Sequence, residues 1–200
     1  MLEKLKSDGK VRYYGIALGP AIGWLYEGVN SIRERELTSV QHIYNMLEQH
    51  PGRAFQDAAT EAGKDTMFLI RVTHSSGMLE GKYTAETKFP PTDHRSHRPR
   101  SWLLNGVKKV EQLRFLENAE RTLGQAALQW LLADDRVAST LPNIYDEEQL
   151  VEFAKAPETA PLTSDEMAKI EDLYSGNFGI EEEPPKFKGT MELAKETAAA

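Results

Sequence analysis

Four short runs of β-branched and aromatic residues alternate with helix-like segments, and this alternation limits the fold more than any other feature of the chain. The runs cover residues 11–18, 38–44, 66–73 and 136–141. Each run is followed by apolar residues at helical spacing. A succession of β-α units requires parallel strand pairing. We therefore predict an α/β fold built from parallel β/α repeats.

Helix-like segments precede, separate and follow these runs. Gly9 and Gly63 suit positions just past helix ends, Asp146 suits a helix cap, and Thr163 with Glu166 forms a capping-box pattern. The predicted helices cover residues 2–10, 22–35, 53–62, 102–118, 123–132, 146–156 and 164–175. Three tryptophans lie in these segments and are expected in the core: Trp24, Trp102 and Trp130.

Composition narrows the class of protein. At roughly 150 residues per domain, a chain of 200 residues predicts one domain, which we place at residues 1–178, with a flexible tail at 179–200. The net charge of −7 without a basic block argues against nucleic-acid binding. No apolar run approaches the roughly 20 residues of a membrane span, and the start lacks a secretory signal. The absence of cysteine excludes disulfides and thiolate metal sites, so we expect a soluble, cytoplasmic protein.

In parallel β/α folds, ligands bind beyond the carboxyl ends of the strands. Those ends fall at residues 17–19, 41–45, 71–82 and 141–145. The third contains glycines and serines at residues 74–82, which suit either a phosphate-binding loop or simple turns. The surrounding polar stretch, residues 74–100, is expected to lack regular structure and to be functional or disordered.

Single polar residues at these ends leave alternatives open. The amide of Gln41 fits ligand recognition and a satisfied core hydrogen bond equally well. Asn45 is interpreted as a turn former and Tyr44 as a packed side chain. Four residues between 94 and 98 suggest a metal or anion cluster, but the arginines would repel a cation, so we interpret them as a solvated loop: His94, Arg95, His97 and Arg98.

No catalytic residue and no metal ligand can be assigned from the pattern. We find no Ser-His-Asp order, no paired-carboxylate site and no Walker-type loop with useful spacing. His42 and His50 are isolated, and we assign them no role.

Three segments in order resemble the aldo/keto reductase family. They are residues 9–17 (GKVRYYGIA), 40–47 (VQHIYNML) and 77–83 (GMLEGKY). Residues 125–132 (QAALQWLL), then 141–143 (LPN) with 148–150 (EQL), extend the similarity to about residue 156. The helix to Tyr174 and the pair Asn177-Phe178 resemble the closing segment of the family.

This resemblance implies a TIM-type (β/α)8 barrel that uses NADP(H) to reduce small aldehydes or ketones. The chain matches the C-terminal half of the barrel, so the four runs would be strands five to eight. The family's catalytic Asp, Tyr, Lys and His come from the first four strands, and none of them has a counterpart here. The resemblance therefore implies no catalytic residue in this chain.

The resemblance also implies part of a cofactor site. Gln41 matches the glutamine that holds the nicotinamide carboxamide, and the loop at residues 71–77 matches the one that wraps the pyrophosphate. Residues after the fourth run match positions that meet the adenosine 2′-phosphate. The implied cofactor-binding residues are Gln41, Arg71, Val72, His74, Ser75, Gly77, Asn143, Gln149 and Glu152.

Several positions depart from the family pattern. Ala17-Leu18 replaces a Ser-Asn pair that grips the carboxamide, and Arg71 replaces an aromatic ring that stacks on nicotinamide. Asn143 and Gln149 stand where basic residues often meet the 2′-phosphate, and Phe153 replaces a common Asn. NADP(H) is thus implied by the resemblance, with NAD(H) as the alternative.

Our leading hypothesis is an aldo/keto reductase that lacks its N-terminal half and is therefore inactive alone. Exposed edges of a half barrel should cause aggregation or homodimerisation. The alternative is a non-catalytic half-barrel module that docks on another chain or binds a nucleotide. A third hypothesis, another phosphate-binding β/α enzyme, lacks a persuasive catalytic side chain.

Overall fold

The computed structural model describes residues 1–19 and 24–181, and four strands in this part of the chain form one parallel sheet. The strands are β1 (Gly15–Ala17), β2 (Ser39–Ile43), β3 (Met67–Arg71) and β4 (Val137–Leu141). They pair in the order β1-β2-β3-β4, so each strand lies beside its neighbour in the sequence. The predicted parallel β/α architecture is confirmed.

Helices connect the strands and follow the last one. In the described ranges they are α1 (Leu2–Ser7), α2 (Leu25–Glu34), α3 (Gly52–Glu61), α4 (Arg100–Glu111), α5 (Leu123–Leu132), α6 (Glu147–Ala154) and α7 (Ser164–Ser175). The predicted caps are confirmed for two of them. Asp146 accepts a hydrogen bond from the backbone N–H of Gln149, and Thr163 and Glu166 form a reciprocal capping box.

The two faces of the sheet differ in burial. Val40, Phe68 and Ile70 are fully buried and belong to the main core together with side chains of the helices. Their neighbours along the strands, Gln41 and Leu69, are only half-buried and point to the opposite face because side chains alternate along a strand. This second face, which we call the concave face, extends to β4, where Leu141 is 42% exposed.

The first strand is shorter than predicted. The prediction covered residues 11–18, whereas β1 spans only Gly15–Ala17. The backbone N–H groups of Lys10 and Val11 donate to the carbonyl oxygen of Leu5, so residues 10–11 pack against the end of α1 instead of joining the sheet. β1 also pairs on one side only within the described sheet, which limits its length.

Two predictions in the region of residues 74–118 were wrong in detail. The long polar stretch contains two 3₁₀ turns, Met78–Glu80 and His94–His97, and the helix predicted at residues 102–118 begins at Arg100 and ends at Glu111. After α4 the chain tightens into a further 3₁₀ turn, Arg114–Leu116, which buries Leu116 completely.

The tryptophans divide between core and surface. Trp130 is buried and Trp102 packs partly against the core, as expected. Trp24 is 39% exposed, so its predicted core position was wrong. The predicted helix start at Ile22 and nearly all of the predicted tail, from residue 182 onward, lie outside the described residues. Within the described residues, none of the helices has the length and apolarity needed to cross a bilayer.

Candidate functional site

The loop that follows β3 contains a cluster of left-handed backbone conformations. The φ angles are 58° at Val72, 48° at Ser75, 58° at Ser76 and 90° at Gly77. A left-handed residue other than glycine costs about 1–2 kcal/mol, and a β-branched residue such as Val72 rarely adopts this conformation. Backbone strain of this kind persists where the surroundings enforce it, often at binding sites.

Side chains from the end of β2 hold this loop in place. Asn45 Nδ2 donates to the carbonyl oxygen of Val72 at 2.9 Å and to Glu48 Oε2 at 2.9 Å. The same Glu48 oxygen accepts a hydrogen bond from Ser75 Oγ at 2.9 Å. Asn45 Oδ1 accepts from the N–H groups of Leu47 and Glu48, which confirms its predicted turn role. Asn45 therefore joins the carboxyl ends of β2 and β3.

His74 anchors the loop to two helices. Its side chain is buried, its Nε2 lies 3.0 Å from the carbonyl oxygen of Gly124 in α5, and its ring stacks on Phe153 of α6. Burial lowers the pKa of His74 because the protonated imidazolium loses solvation. A neutral imidazole can still donate one hydrogen bond, which the Gly124 carbonyl accepts.

Several backbone donors of the loop remain without partners. Among the residues that the structure describes, the N–H groups of Thr73, His74, Ser76 and Gly77 donate to no acceptor, although all four residues are buried. More than nine in ten buried backbone N–H groups are paired in native proteins. A turn-forming loop with unpaired N–H donors can bind anions such as phosphates.

Gly77 is required by the geometry of this loop. A Cβ atom at this position would lie 2.3 Å from the hydroxyl oxygen of Tyr83, which itself donates to the carbonyl oxygen of Ser76 at 2.9 Å. The positive φ of Gly77 adds a second reason for glycine. Any larger residue would displace the Tyr83 side chain or the loop.

Arg71 and Gln41 lie at the same end of the sheet. Arg71 Nη2 donates to the carbonyl oxygens of Leu18 at 2.8 Å and Gly19 at 2.9 Å, so its side chain reaches from β3 across β2 to the end of β1. The side chain of Gln41 makes no hydrogen bond to any described group. No described group therefore satisfies the Gln41 amide by a hydrogen bond in the core.

The loop after β4 approaches the loop after β3 through a glutamine. Gln149 is buried, accepts from the backbone N–H of Tyr145 at 2.8 Å and donates from Nε2 to Glu80 Oε2 at 2.9 Å. Glu152, three residues farther along α6, accepts a hydrogen bond from Thr122 Oγ1 at 2.6 Å. Asn143 is exposed, and its side chain contacts only Tyr145 in the described structure.

Charges of both signs act on Glu80 in this region. Burial raises the pKa of Glu80, and the negative charge of Glu152 acts in the same direction, whereas Lys82 and Arg95 act in the opposite direction. The prediction that Arg95 belongs to a solvated loop was wrong, because Arg95 pairs with Asp93 and its guanidinium lies 4.8 Å from the Phe89 ring centroid.

The structure thus brings together most of the predicted site residues. Gln41 and the loop at residues 71–77 share the carboxyl ends of β2 and β3. Gln149 joins them through its hydrogen bond to Glu80, and the negative charge of Glu152 acts on His74. Asn143 stays apart. Sequence interpretation gave no role to Glu48 or Glu80, and only the position of Glu80 inside the GMLEGKY segment gave a signal. In the described part of the chain no acidic or histidine cluster is arranged to hold a metal ion.

Curated proteins offer a partial match. The chain is 33% identical over 107 residues to the L-glyceraldehyde 3-phosphate reductase of Escherichia coli (strain K12), a region that covers 48% of this chain and 30% of that protein. The chain thus spans less than a third of the length of this curated relative.

Solved structures match over most of the chain. An aldo-keto reductase from Bacillus halodurans is 24% identical with a TM-score of 0.60, and 86% of this chain covers 54% of that one. A glycerol dehydrogenase from Gluconobacter oxydans is 21% identical with a TM-score of 0.69, and 93% of this chain covers 56% of that one. At these identities the likeness concerns the fold.

The most extensive match is to a whole family. The sequence profile of the Aldo/keto reductase family matches residues 1–175, which is most of the 200-residue chain. The parallel sheet and the solved structures agree with that match. The chain therefore belongs to the aldo/keto reductase family.

Proposed function

We propose that this chain supplies the dinucleotide-binding part of an oxidoreductase that reduces small aldehydes or ketones with NAD(P)H. The observation behind this proposal is the left-handed loop after β3, whose four unpaired N–H groups suit a pyrophosphate. A bound nicotinamide cofactor would supply the hydride. Residues 1–178 would correspond to barrel strands five to eight.

Each proposed contact follows from a donor or acceptor on this edge of the sheet. Gln41, whose amide makes no hydrogen bond to a described residue, would bind the nicotinamide carboxamide through its donor and acceptor groups. Val72, His74, Ser75 and Gly77 would shape the pyrophosphate loop, in which Ser75 and His74 are already fixed by Glu48 and Gly124. Asn143, Gln149 and Glu152 would face the adenosine.

We propose that Glu80 and Glu152 favour NAD(H) over NADP(H) near the adenosine, against the opposite charges of Lys82 and Arg95. Gln149 gives its amide to Glu80, and Glu152 adds a second carboxylate nearby. A 2′-phosphate would be repelled by these groups, whereas the ribose 2′-hydroxyl of NAD(H) can donate to a carboxylate. The family resemblance implies NADP(H), so the nucleotide preference is a point on which this chain would depart from the family.

Proton transfer to a carbonyl oxygen needs an acid that the described site does not offer. His74 is buried and occupied by Gly124, and Glu80 is engaged by Gln149. We therefore propose that the chain binds cofactor but needs groups from the other half of a barrel to reduce a carbonyl.

We further propose that two copies complete a barrel. Within the described sheet, β1 and β4 each pair on one side only, and all four strands are parallel. A twofold axis along the strands would place β4 of one copy beside β1 of the other at both seams. Pairing would remove the free edges and cover the concave face.

Calorimetric titration with NADH and NADPH tests the cofactor proposal. We expect NADH to bind at least as tightly as NADPH, and Glu152→Lys to shift the preference toward NADPH. Glu147→Lys, which makes the same charge change at an exposed position of α6, is the matched control. If neither nucleotide binds, the proposal fails and the non-catalytic interaction module becomes the better description.

A further inference from the structure

Arg71 is a half-buried cation without a carboxylate partner in the described structure. Its side chain packs across the carboxyl end of the sheet, where its hydrogen bonds go only to the neutral carbonyl groups of Leu18 and Gly19. Taking a charge out of water is costly unless an opposite charge or several hydrogen bonds compensate. The charge is felt nearby, because it contributes to the lowered pKa of buried His42.

Most hydrogen-bonding capacity of this guanidinium is unused. A guanidinium carries five N–H donors, and the two on Nη2 serve the two carbonyl groups. Nε is buried and has no partner, and Nη1 donates to no group within the described residues. Three of the five donors therefore have no acceptor among the described residues.

Gln41 adds a second polar side chain on the same surface, and it makes no hydrogen bond to a described residue. In the sheet, Gln41 pairs with Ala17 on one side and Leu69 on the other, while Arg71 pairs with Ile43. Because Gln41 and Arg71 are two residues apart in register and share the concave face, they are diagonal neighbours. The Arg71 side chain then passes over β2 to the residues just after Ala17, which brings it past Gln41.

We propose that Arg71 and Gln41 form a niche for an oxyanion, namely a carboxylate or phosphate group of a ligand. This goes beyond the proposed function, because a nicotinamide carboxamide is neutral and would leave the Arg71 charge unpaired. Two sources share this chemistry. The anion is either a phosphate of the dinucleotide itself or a separate acidic compound that binds beside it.

Thermal unfolding with orthophosphate and with acetate, at constant ionic strength, tests the niche. A ligand that binds only the native state raises the unfolding midpoint. We expect one or both anions to raise the midpoint of the native chain. Gln41→Glu places a carboxylate next to Arg71, so it should fold at least as well and bind either anion about tenfold more weakly.

Two arginine variants complete the design. Arg71→Gln should lose the response to anions, and Arg71→Lys should retain part of it because the charge remains. Arg136→Gln is the matched control, since Arg136 is also half-buried and donates to a carbonyl oxygen, that of Lys64 at 2.9 Å, but lies at the opposite end of the sheet. The control should respond as the native chain does.

The proposal is overturned if neither anion shifts the midpoint, or if Gln41→Glu and Arg71→Gln respond as the native chain does. Competition between orthophosphate and NADH would assign the niche to a cofactor phosphate, and additive shifts would assign it to a separate acidic ligand. Anion binding without NADH binding would refute the proposed function and leave the niche standing. NADH binding without an anion response would refute the niche and leave the proposed function standing.

Discussion

The imidazole of His74 stacks on the ring of Phe153, with centroids 4.4 Å apart and planes inclined by 26°. This contact links the loop after β3 to α6, so the two segments that we assign to the cofactor share one packing unit. Phe153 is also buried against Leu128 of α5 and Ala156. The packing of α5 and α6 thus supports the loop after β3.

Removal of the Phe153 ring should loosen that support. Phe153→Ala is expected to lower the free energy of unfolding by about 3 kcal/mol, because it deletes a buried aromatic ring and leaves a cavity. Leu150→Ala, at a position 51% exposed on the same helix, should change it by less than about 0.5 kcal/mol. Urea unfolding followed by tryptophan fluorescence measures both. Equal changes in the free energy of unfolding for the two variants would show that the Phe153 ring adds no more stability than the exposed Leu150 side chain.

The clash predicted at Gly77 can be separated from the cost of its left-handed backbone. Gly63 also has a positive φ, of 62°, but a Cβ there meets no atom within 4 Å. Gly63→Ala should therefore cost about 1 kcal/mol of stability from the backbone alone. Gly77→Ala should cost at least about 1 kcal/mol more, since it also collides with Tyr83. Urea unfolding gives the difference, and similar losses in the two variants would contradict the close approach.

Stability should fall in acid because of His42. This side chain is surrounded by the rings of Phe55 and Phe68, and burial lowers its pKa from 6.5 to about 4. Below pH 6.5 His42 binds a proton in the unfolded chain but stays neutral in the folded chain. The free energy of unfolding therefore decreases as the pH falls toward 4. The loss from His42 alone amounts to about 3 kcal/mol, and the lowered pKa of His74 acts in the same direction.

Urea unfolding at a series of pH values between 7 and 4 checks this expectation. His42→Leu should show a shallower decrease over that range than the native chain. His97→Leu, at an exposed position, is the control and should leave the decrease unchanged. An unchanged slope in His42→Leu would mean that His42 binds a proton equally well in the folded and unfolded chains.

Self-association should depend on the concave face. Leu141 on β4 is 42% exposed there, so Leu141→Lys places a charge where a second copy would pack. We expect the native chain to elute as a dimer and Leu141→Lys to shift toward the monomer in light scattering coupled to gel filtration. Leu150→Lys serves as the control outside this face. A monomeric native chain would refute the pairing of two copies.

Local signals in the sequence were sufficient for the helix caps and the parallel order. Asp146 and the pair Thr163 and Glu166 act within one turn of their own helices, so their chemistry is visible in the sequence. The four runs likewise define the β/α alternation. The predicted length of β1 was wrong because β propensity does not report the hydrogen bonds that Lys10 and Val11 donate to the carbonyl oxygen of Leu5 in α1.

Contacts between distant segments escaped the sequence interpretation. The bond from Asn45 to Val72 and the one from Gln149 to Glu80 join different loops and have no periodic signature. Trp24 shows the same limitation, since an aromatic residue in a helix-like segment was assigned to the core yet is 39% exposed. Only the packing of elements decides such cases.

The sheet order has a consequence for biosynthesis. Every strand pairs with the strand made immediately before or after it, so each ladder can form as soon as its second member emerges from the ribosome. Folding can then proceed vectorially, strand by strand, without waiting for a distant segment. During translation the sheet would grow at one edge only, the edge formed by the most recently synthesised strand.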